Sequence, residues 1–415
     1  MPKGIFLRPY PYPWKAAFSF SNDIDTTTPA RYSFIRDFFR SIPAAAPGAE
    51  MGLPYCESFF VFNRNPYHPD QVALKTHPDL LMPDLESGYL GVLHTWGDYN
   101  FNPVFTRQDA AKAYSLLSEC RNKPRVWINH GTLHNLQNVG AGVGYGDWQE
   151  YIDGASNYYR LPEYHLDYAL KLGIDFFWIE RPTRVIGQNV KLDAKSCWQA
   201  YYSQNKSQSR ALKRAVDYLF NRFVRSSVKA LREYNRLLKV RQLRDGSKIY
   251  EFIRYGNYSK ASADDLGEII SPQVLDQLVE RRGTMVLMTH LGKTSTSPDE
   301  FTESSMEALK HLKLLYDIGN VWVCRLDRLL EYQALIESIR FNSAGNEIII
   351  NGFTSEVWGD FCPEPEKLEG ITFCCPKPDN VAVKYGNYRM EFKPNPKDAD
   401  SCRSVTLTGR IARSD

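Results

Sequence analysis

Acidic, histidine, asparagine and arginine residues follow several apolar segments of the chain at the same relative position. These residues are Asn22, Asp23, Asp25, Asn63, Arg64, His94, Asp98, Asn129, His130, Glu180, Arg181, Arg254 and His290. Aspartate and histidine are ligands suited to Zn²⁺ or a similar divalent cation, which lowers the pKa of a bound water and polarises a carbonyl. A free carboxylate can take the proton of that water, and a histidine can protonate the leaving group. These residue types therefore indicate metal-dependent hydrolysis of an amide or ester.

The apolar segments that lead into these residues predict strands covered on both faces, because apolar residues occur on both faces of each segment. They are residues 16–21, 59–63, 91–97, 125–131, 175–180, 249–256, 285–292 and 321–326. Helical periodicity between them predicts helices over residues 109–119, 166–172, 273–281 and 304–318. This alternation over residues 1–338 favours an α/β fold of the (β/α) barrel type. An open doubly wound sheet is the alternative, although no G-x-G-x-x-G loop follows a strand.

The barrel would bring the polar residues together. Side chains that follow the C-terminal ends of barrel strands converge on one face, where such folds carry their chemistry. Loops are polar in any case, so chance places some polar residues there. Three of the eight histidines nevertheless occupy these positions, and we expect one shared site.

Residues 186–246 depart from the alternation and are expected to form a helical insertion with one apolar and one basic face. The apolar residues are Val216, Leu219, Phe220, Phe223, Val224, Val228, Leu231 and Leu238. The basic residues are Lys213, Arg214, Arg222, Arg225, Lys229, Arg232, Arg236, Lys239 and Arg241. The insertion either packs on the barrel with a solvated face or docks an anionic partner.

Residues 339–415 show a different pattern. Short apolar segments at 347–351, 370–374, 381–384, 389–392 and 404–407 are separated by Pro, Gly and Asn residues. This pattern predicts strands joined by turns, and therefore a small all-β accessory domain similar to a sandwich.

The composition of the chain excludes several classes of protein. Its 51 basic and 48 acidic residues give a net charge of +3, which indicates neither a nucleic-acid partner nor a membrane surface. No run of about 18 apolar residues is present to span a bilayer. Prolines and charges interrupt the N-terminal segment, unlike a signal peptide. Without a secretion signal, the eight cysteines are expected to be reduced thiols of a cytoplasmic protein.

Three segments, in order, resemble motifs of the polysaccharide deacetylases, which remove acetyl groups from amino sugars on a deformed (β/α) barrel. AFSFSNDIDTTT resembles the first motif, YLGVLHTWGDYN the second and GTMVLMTHLGKT the last. The resemblance implies that Asp23 is the general base, that Asp25 and His94 bind a metal, and that His290 is the general acid. Asp98 stands where the second motif has another histidine, and it is expected as the third metal ligand. The implied cofactor is a divalent metal, with Zn²⁺ the first choice.

The substrate contacts follow less directly from this resemblance. RVWINHGTLHN stands where the family has an Arg-Pro-Pro stretch, and DFFWIERPTR only loosely resembles the fourth motif. We expect the substrate-binding residues to be Asn129, His130, Arg181 and Arg254. His134 is an alternative third ligand, since it follows His130 at the H-x-x-x-H spacing, but Gly131 and the missing H-E-x-x-H glutamate disfavour a metal helix. The implied partner is a carbohydrate, either a glycan or an activated sugar of a surface-polysaccharide pathway, and a homo-oligomer is left open.

Each residue also has a structural interpretation, and the function has alternatives. Asp23 and Asp25 could cap the following helix, His94 could be a core histidine, and Asp98 could shape a turn. The departures from the family motifs allow a catalytically silent barrel that binds carbohydrate or serves as a scaffold. An amidase that acts on a small amide is the third possibility, because the residues identify the bond type rather than the substrate.

Overall fold

The computed structural model shows a mixed α/β protein with a curled half-barrel sheet and a C-terminal region that is mostly strand. It describes residues 4–40, 51–99, 105–131, 135–140, 163–179, 182–191, 235–243, 245–398 and 400–412. Within these residues no helix combines the length and the apolar character needed to cross a membrane. The cysteines of the described ranges are free thiols.

Twelve strands precede the C-terminal region in the described chain. They are β1 (Phe6–Leu7), β2 (Ala16–Asn22), β3 (Glu57–Phe59), β4 (Phe62–Asn63), β5 (Leu90–Leu93), β6 (Gly97–Asp98), β7 (Val126–Ile128), β8 (Phe176–Trp178), β9 (Leu238–Gln242), β10 (Lys248–Phe252), β11 (Thr284–Thr289) and β12 (Val321–Val323). Each of the eight apolar segments of the sequence contains residues of at least one of these strands.

The described helices lie mostly between these strands. They are α1 (Pro29–Phe39), α2 (Pro78–Glu86), α3 (Arg107–Ser118), α4 (Leu166–Lys171), α5 (Leu266–Ile269), α6 (Pro272–Arg281), α7 (Glu303–Asp317) and α8 (Leu326–Ser338). Short 3₁₀ helices are found at Ala263–Asp265, Pro365–Leu368 and Pro378–Asn380. The four predicted helices correspond to α3, α4, α6 and α7, with small shifts at their ends.

Strands β2 to β12 form three sheets. The largest has the order β3-β5-β7-β8-β10-β9 and is parallel except for β9, and a second parallel sheet has the order β11-β2-β12. The short strands β4 and β6 pair with each other. Parallel bridges from Tyr255 to Thr183 and to Leu287 connect the large sheet to β11. Strands β2 and β11 are buried at every position, as their mostly apolar sequences predict.

Apolar residues pack on both faces of the large sheet, which explains its continuous apolar segments. Trp127 and Phe177 belong to a core that they share with the outer helices. Their neighbours Val126 and Phe176 belong to a second core, which includes α8 and the C-terminal strands. Adjacent residues of a strand point to opposite faces, so both faces are covered.

The prediction of a helical insertion is wrong for its C-terminal residues. Leu238–Gln242 form β9, which pairs antiparallel with β10, from Leu238 opposite Phe252 to Gln242 opposite Lys248. Leu238 is buried, and the residues Lys239–Gln242 after it alternate between intermediate and exposed. Leu238 therefore matched the helical pattern although it belongs to a strand. The other predicted residues of the helix up to position 232 lie outside the described residues.

The C-terminal region is mostly strand, as predicted, and its strands are joined by hydrogen bonds into one sheet. Its strands are β13 (Ile339–Ala344), β14 (Glu347–Ser355), β15 (Gly359–Phe361), β16 (Thr372–Cys374), β17 (Ala382–Tyr385), β18 (Tyr388–Asn395) and β19 (Ser404–Ile411). The order is β1-β16-β19-β18-β17-β14-β13, with β15 paired to β14. The sheet curls so that the rings of Phe341 and Phe373 approach to 5.0 Å between centroids. Strand β1, which the sequence did not predict, belongs to this sheet.

Candidate metal centre and acid–base pair

Asp23 and Asp25 lie directly after β2 and are buried, with 4% and 8% of their surface exposed. The backbone N–H of Asp23 donates to the Thr289 carbonyl on β11 (2.8 Å), and that of Ile24 donates to Ser58 Oγ (3.1 Å). Thr28, and neither aspartate, caps helix α1, since its side chain accepts from the Arg31 N–H. The capping interpretation of the two aspartates is therefore wrong, and their carboxylates are available to the site.

Three potential metal-ligand atoms meet beside β2. Asp25 Oδ1 lies 3.0 Å from His130 Nδ1 and 3.5 Å from His94 Nε2, and the two ring nitrogens are 3.0 Å apart. Two ligands bound to one tetrahedral Zn²⁺ at ordinary bond lengths are separated by about 3.3 Å. Asp25, His94 and His130, the metal trio, thus place their ligand atoms at about the spacing of one face of a zinc coordination tetrahedron. Asp25 Oδ1 is buried, and the two histidine nitrogens are the potential ligand atoms that the structure places beside it.

The histidines reach this point from neighbouring strands. His94 follows β5 and His130 lies two residues after β7, which pairs with β5 in the large sheet. His130 is held by its own backbone, whose N–H donates to Asn138 Oδ1 and whose carbonyl accepts from Asn135 Nδ2, each at 3.0 Å. The strand-end position was the signal for both histidines. That both ring nitrogens lie within 3.5 Å of Asp25 Oδ1 depends on the sheet geometry.

Asp98 lies behind the metal trio instead of within it. Its Oδ1 is 3.0 Å from His130 Nε2, on the side of the ring away from Asp25. Its Oδ2 accepts hydrogen bonds from Asn65 Nδ2 (2.8 Å) and Gln71 Nε2 (3.2 Å). A carboxylate in this position orients a ligating histidine and fixes its tautomer. The geometry thus differs from the sequence expectation, in which Asp98 was a metal ligand and His130 a substrate contact.

The charges of the trio favour a bound cation. Burial lowers the pKa of His130, but the carboxylates of Asp25 and Asp98 outweigh it and raise that pKa to about 10. Burial raises the pKa of Asp25, yet His130 and His94 bring it well below its ordinary value. Burial lowers the pKa of His94 despite the nearby aspartates. A divalent cation would take the place of the His130 proton, because metal-ligating imidazole is neutral.

Asp23 forms a second group with Asp25 and His290. Both oxygens of Asp23 accept from Arg254, at 2.5 and 3.1 Å, and His290 Nε2 lies 3.6 Å from Asp23 Oδ2 and 3.0 Å from Asp25 Oδ2. Burial raises the pKa of Asp23, but the charges of Arg254, His94 and His290 lower it below its ordinary value. Asp23 is therefore an anionic proton acceptor beside a histidine.

Arg254 is fully buried and packs with its guanidinium carbon 3.6 Å from the ring centroid of Trp178. It also donates to Ser21 Oγ at 3.2 Å. Its guanidinium is thus engaged with Asp23, Ser21 and Trp178, although the sequence had placed it among the substrate contacts. The aromatic partner Trp178 was not among the predicted site residues.

The remaining predicted residues have different positions. Asn129 is buried, and its side chain accepts from Trp127 Nε1 (2.9 Å) and from the N–H of Val139 (3.0 Å), which holds residues 135–140 against β7. Arg181 and His134 lie outside the described residues. Lys293, which was not predicted, places its ammonium 3.7 Å from Asp25 Oδ2 at the mouth of the site.

The site therefore combines a trio that fits a divalent cation with an anionic carboxylate and a histidine on its other side. Together these groups can activate water and protonate a leaving group. Comparisons of the chain with protein-family models, with curated proteins and with solved structures found no match.

Proposed function

We propose that this protein is a metal-dependent hydrolase that deacetylates an amino sugar or acetylated glycan on a divergent (β/α) barrel of the polysaccharide-deacetylase type. The observation that carries the proposal is the spacing of Asp25, His94 and His130 beside the Asp23–His290 pair. The ordered motifs of the sequence support it, because they resemble those of the same class of enzyme.

In this proposal Asp25, His94 and His130 hold a divalent ion, with Zn²⁺ the best match to one oxygen and two nitrogen ligands. When bound, the ion supplies a water of lowered pKa and polarises the substrate carbonyl. Asp23 takes the proton of the attacking water, and Arg254 keeps Asp23 anionic before the reaction. His290 donates a proton to the departing amine or alcohol.

Metal analysis tests the first part of this proposal. The purified protein is expected to hold one equivalent of Zn²⁺, and Asp25→Ala, His94→Ala and His130→Ala are each expected to lose it. His311→Ala is the matched control, since His311 lies on α7 and pairs with Asp276 away from the site. Retention of full metal by the three site variants would overturn the proposed ligand set.

Acetate release from a panel of acetylated sugars, glycans and small amides tests the second part. Turnover of acetylated sugars that disappears in Asp23→Ala and His290→Ala supports the deacetylase. Turnover of small amides alone supports the amidase alternative. Glycan binding that is indifferent to chelator, without turnover of any substrate, supports a silent carbohydrate-binding protein instead.

A further inference from the structure

Glu57 is a fully buried carboxylate that the proposed chemistry does not use. It begins β3, and its hydrogen-bond partners Asn22, Tyr55 and Ser58 are all neutral. Burial raises the pKa of Glu57 to about 7. Burying an ionisable group without an opposite charge is unfavourable, so a role in holding neighbouring groups is expected.

The two oxygens of Glu57 accept three hydrogen bonds. Oε1 accepts from Asn22 Nδ2 (2.7 Å) and from the Ser58 N–H (2.8 Å), and Oε2 accepts from the Tyr55 hydroxyl (2.7 Å). On its other side, Asn22 Oδ1 accepts from the Leu291 N–H at 2.6 Å. A backbone N–H only donates, so the amide oxygen of Asn22 must face Leu291 and its NH₂ must face an acceptor. Glu57 supplies that acceptor.

Leu291 belongs to the turn that carries His290. The N–H of His290 donates to Ala261 O (2.5 Å), and the Leu291 carbonyl accepts from Arg31 Nε (2.8 Å). Gly292 packs so closely on Thr27 that an added Cβ would lie 1.9 Å from Thr27 Oγ1. The turn is therefore held closely. The side chain of Asn22, the last residue of β2, joins this turn to the strand end, one residue before Asp23.

We propose that Glu57 is a positioning residue that, through Asn22, holds the His290 turn in register with Asp23 and Asp25. The catalytic significance of this register rests on the proposed function, whereas the hydrogen-bond relay itself does not. The neighbouring Ser58 reinforces the arrangement, because its Oγ accepts from the N–H of Ile24 between the two aspartates.

Hydrogen exchange of the full-length protein without metal tests the relay directly. Glu57→Leu removes the acceptor, and we expect the Leu291 amide to exchange about tenfold faster, the effect of losing one net hydrogen bond. Glu57→Gln keeps an acceptor for Asn22 and Ser58 and can donate to Tyr55, so exchange within about twofold of the parent is expected. Glu251→Leu is the matched control, since Glu251 is equally buried on a strand of the same sheet but pairs with Arg241.

Asn22→Ala removes the acceptor of the Leu291 N–H while leaving Glu57 in place, so it tests the Asn22 step of the relay. If Glu57→Leu does not fold, Glu57→Ala takes its place. Asn22→Ala should accelerate exchange at Leu291 as Glu57→Leu does. Unchanged exchange in Asn22→Ala, or equal acceleration in Glu57→Gln and Glu57→Leu, would overturn the proposal. These measurements need neither metal nor substrate, so they stand apart from a failure of the proposed enzyme function.

In the metal-loaded protein, the same variants should change kcat for acetate release more than KM for the acetylated substrate. Glu57→Leu is expected to lower kcat for acetate release, with restoration by Glu57→Gln, because the register of His290 matters in the transition state. A Glu57→Leu protein with parental kcat would remove the catalytic part of the inference.

Discussion

The buried pair of Arg254 and Asp23 provides a direct test of the electrostatics of the site. Arg254 is fully buried and Asp23 nearly so, and the guanidinium contacts both carboxylate oxygens. Arg254→Met keeps an unbranched side chain against Trp178 but leaves the Asp23 charge without its partner. Removing one member of a buried pair destabilises a protein by about 3–5 kcal/mol, and we expect a loss of that size in the free energy of unfolding.

A double-mutant cycle separates the ion pair from the packing. Asp23→Asn alone leaves a buried cation and is expected to be similarly destabilising, whereas the Asp23→Asn/Arg254→Met protein buries no net charge. We expect the double variant to lose less stability than the sum of the two single variants, by about 2 kcal/mol or more. The measurement is urea unfolding in chelator, followed by tryptophan fluorescence, with Trp178 stacked on the guanidinium as a local probe.

Arg282→Met is the matched control for this cycle. Arg282 forms a two-contact pair with Asp400 on the surface, where both side chains are about half exposed. Its removal is expected to change stability by no more than about 1 kcal/mol. Additive losses in the Asp23 and Arg254 variants, within about 0.5 kcal/mol, would refute the reasoning.

Three further predictions concern the neighbours of this pair. Because burial raises the pKa of Glu57 from 4.5 to about 7, its contribution to stability is complete below pH 4.5 and is lost as the pH rises through 7, about 3 kcal/mol in all. In urea unfolding, Glu57→Gln should lack this decrease of stability with pH, and an identical decrease would contradict the assignment. Asp98→Ala should weaken Zn²⁺ binding about 10–100-fold by calorimetry, since the His130 ring loses its orienting carboxylate; equal affinities would refute this. Lys293→Met should tighten Zn²⁺ binding about two- to fivefold, because a partly exposed ammonium near Asp25 repels the ion; weaker binding would show that Lys293 supports the site.

The strand-end argument predicted most of the residues that the structure brings together. Asp23, Asp25, His94 and His290 each follow a strand whose apolar sequence predicted it, and the parallel pairing of β2 with β11 places the aspartates and His290 side by side. Short-range sequence pattern is sufficient here, because parallel neighbours end on the same side of a sheet.

The distinction between His130 and Asp98 could not be predicted in this way. His130 follows β7 and Asp98 ends β6, and both are chemically able to bind a metal. Which one reaches Asp25 depends on the offset between neighbouring strands and on the contacts of Asp98 with Asn65 and Gln71, whose positions are distant along the chain. Such contacts arise from tertiary packing, which single-sequence periodicity does not contain.

Strands β1 and β9 escaped prediction for related reasons. β1 contains only Phe6–Leu7, too short to show any period, and it is defined by its partner β16. β9 has one buried residue, Leu238, within a segment whose apolar spacing also matches a helix. Both are edge strands whose conformation depends on the strand that they join.

The pairing of β1 with β16 affects the order in which the chain folds during synthesis and the effect of truncating it. Phe6 lies opposite Cys374, so β1 can pair only after a strand more than 360 residues further along the chain has been synthesised. Contacts between such distant segments form late, since closing a long loop is entropically unfavourable. A protein cut after residue 338 would keep the candidate site but leave the edge of β1 unpaired and the apolar surface of α8 uncovered. The C-terminal strands can therefore pair with β1 and cover α8 only after they have been synthesised.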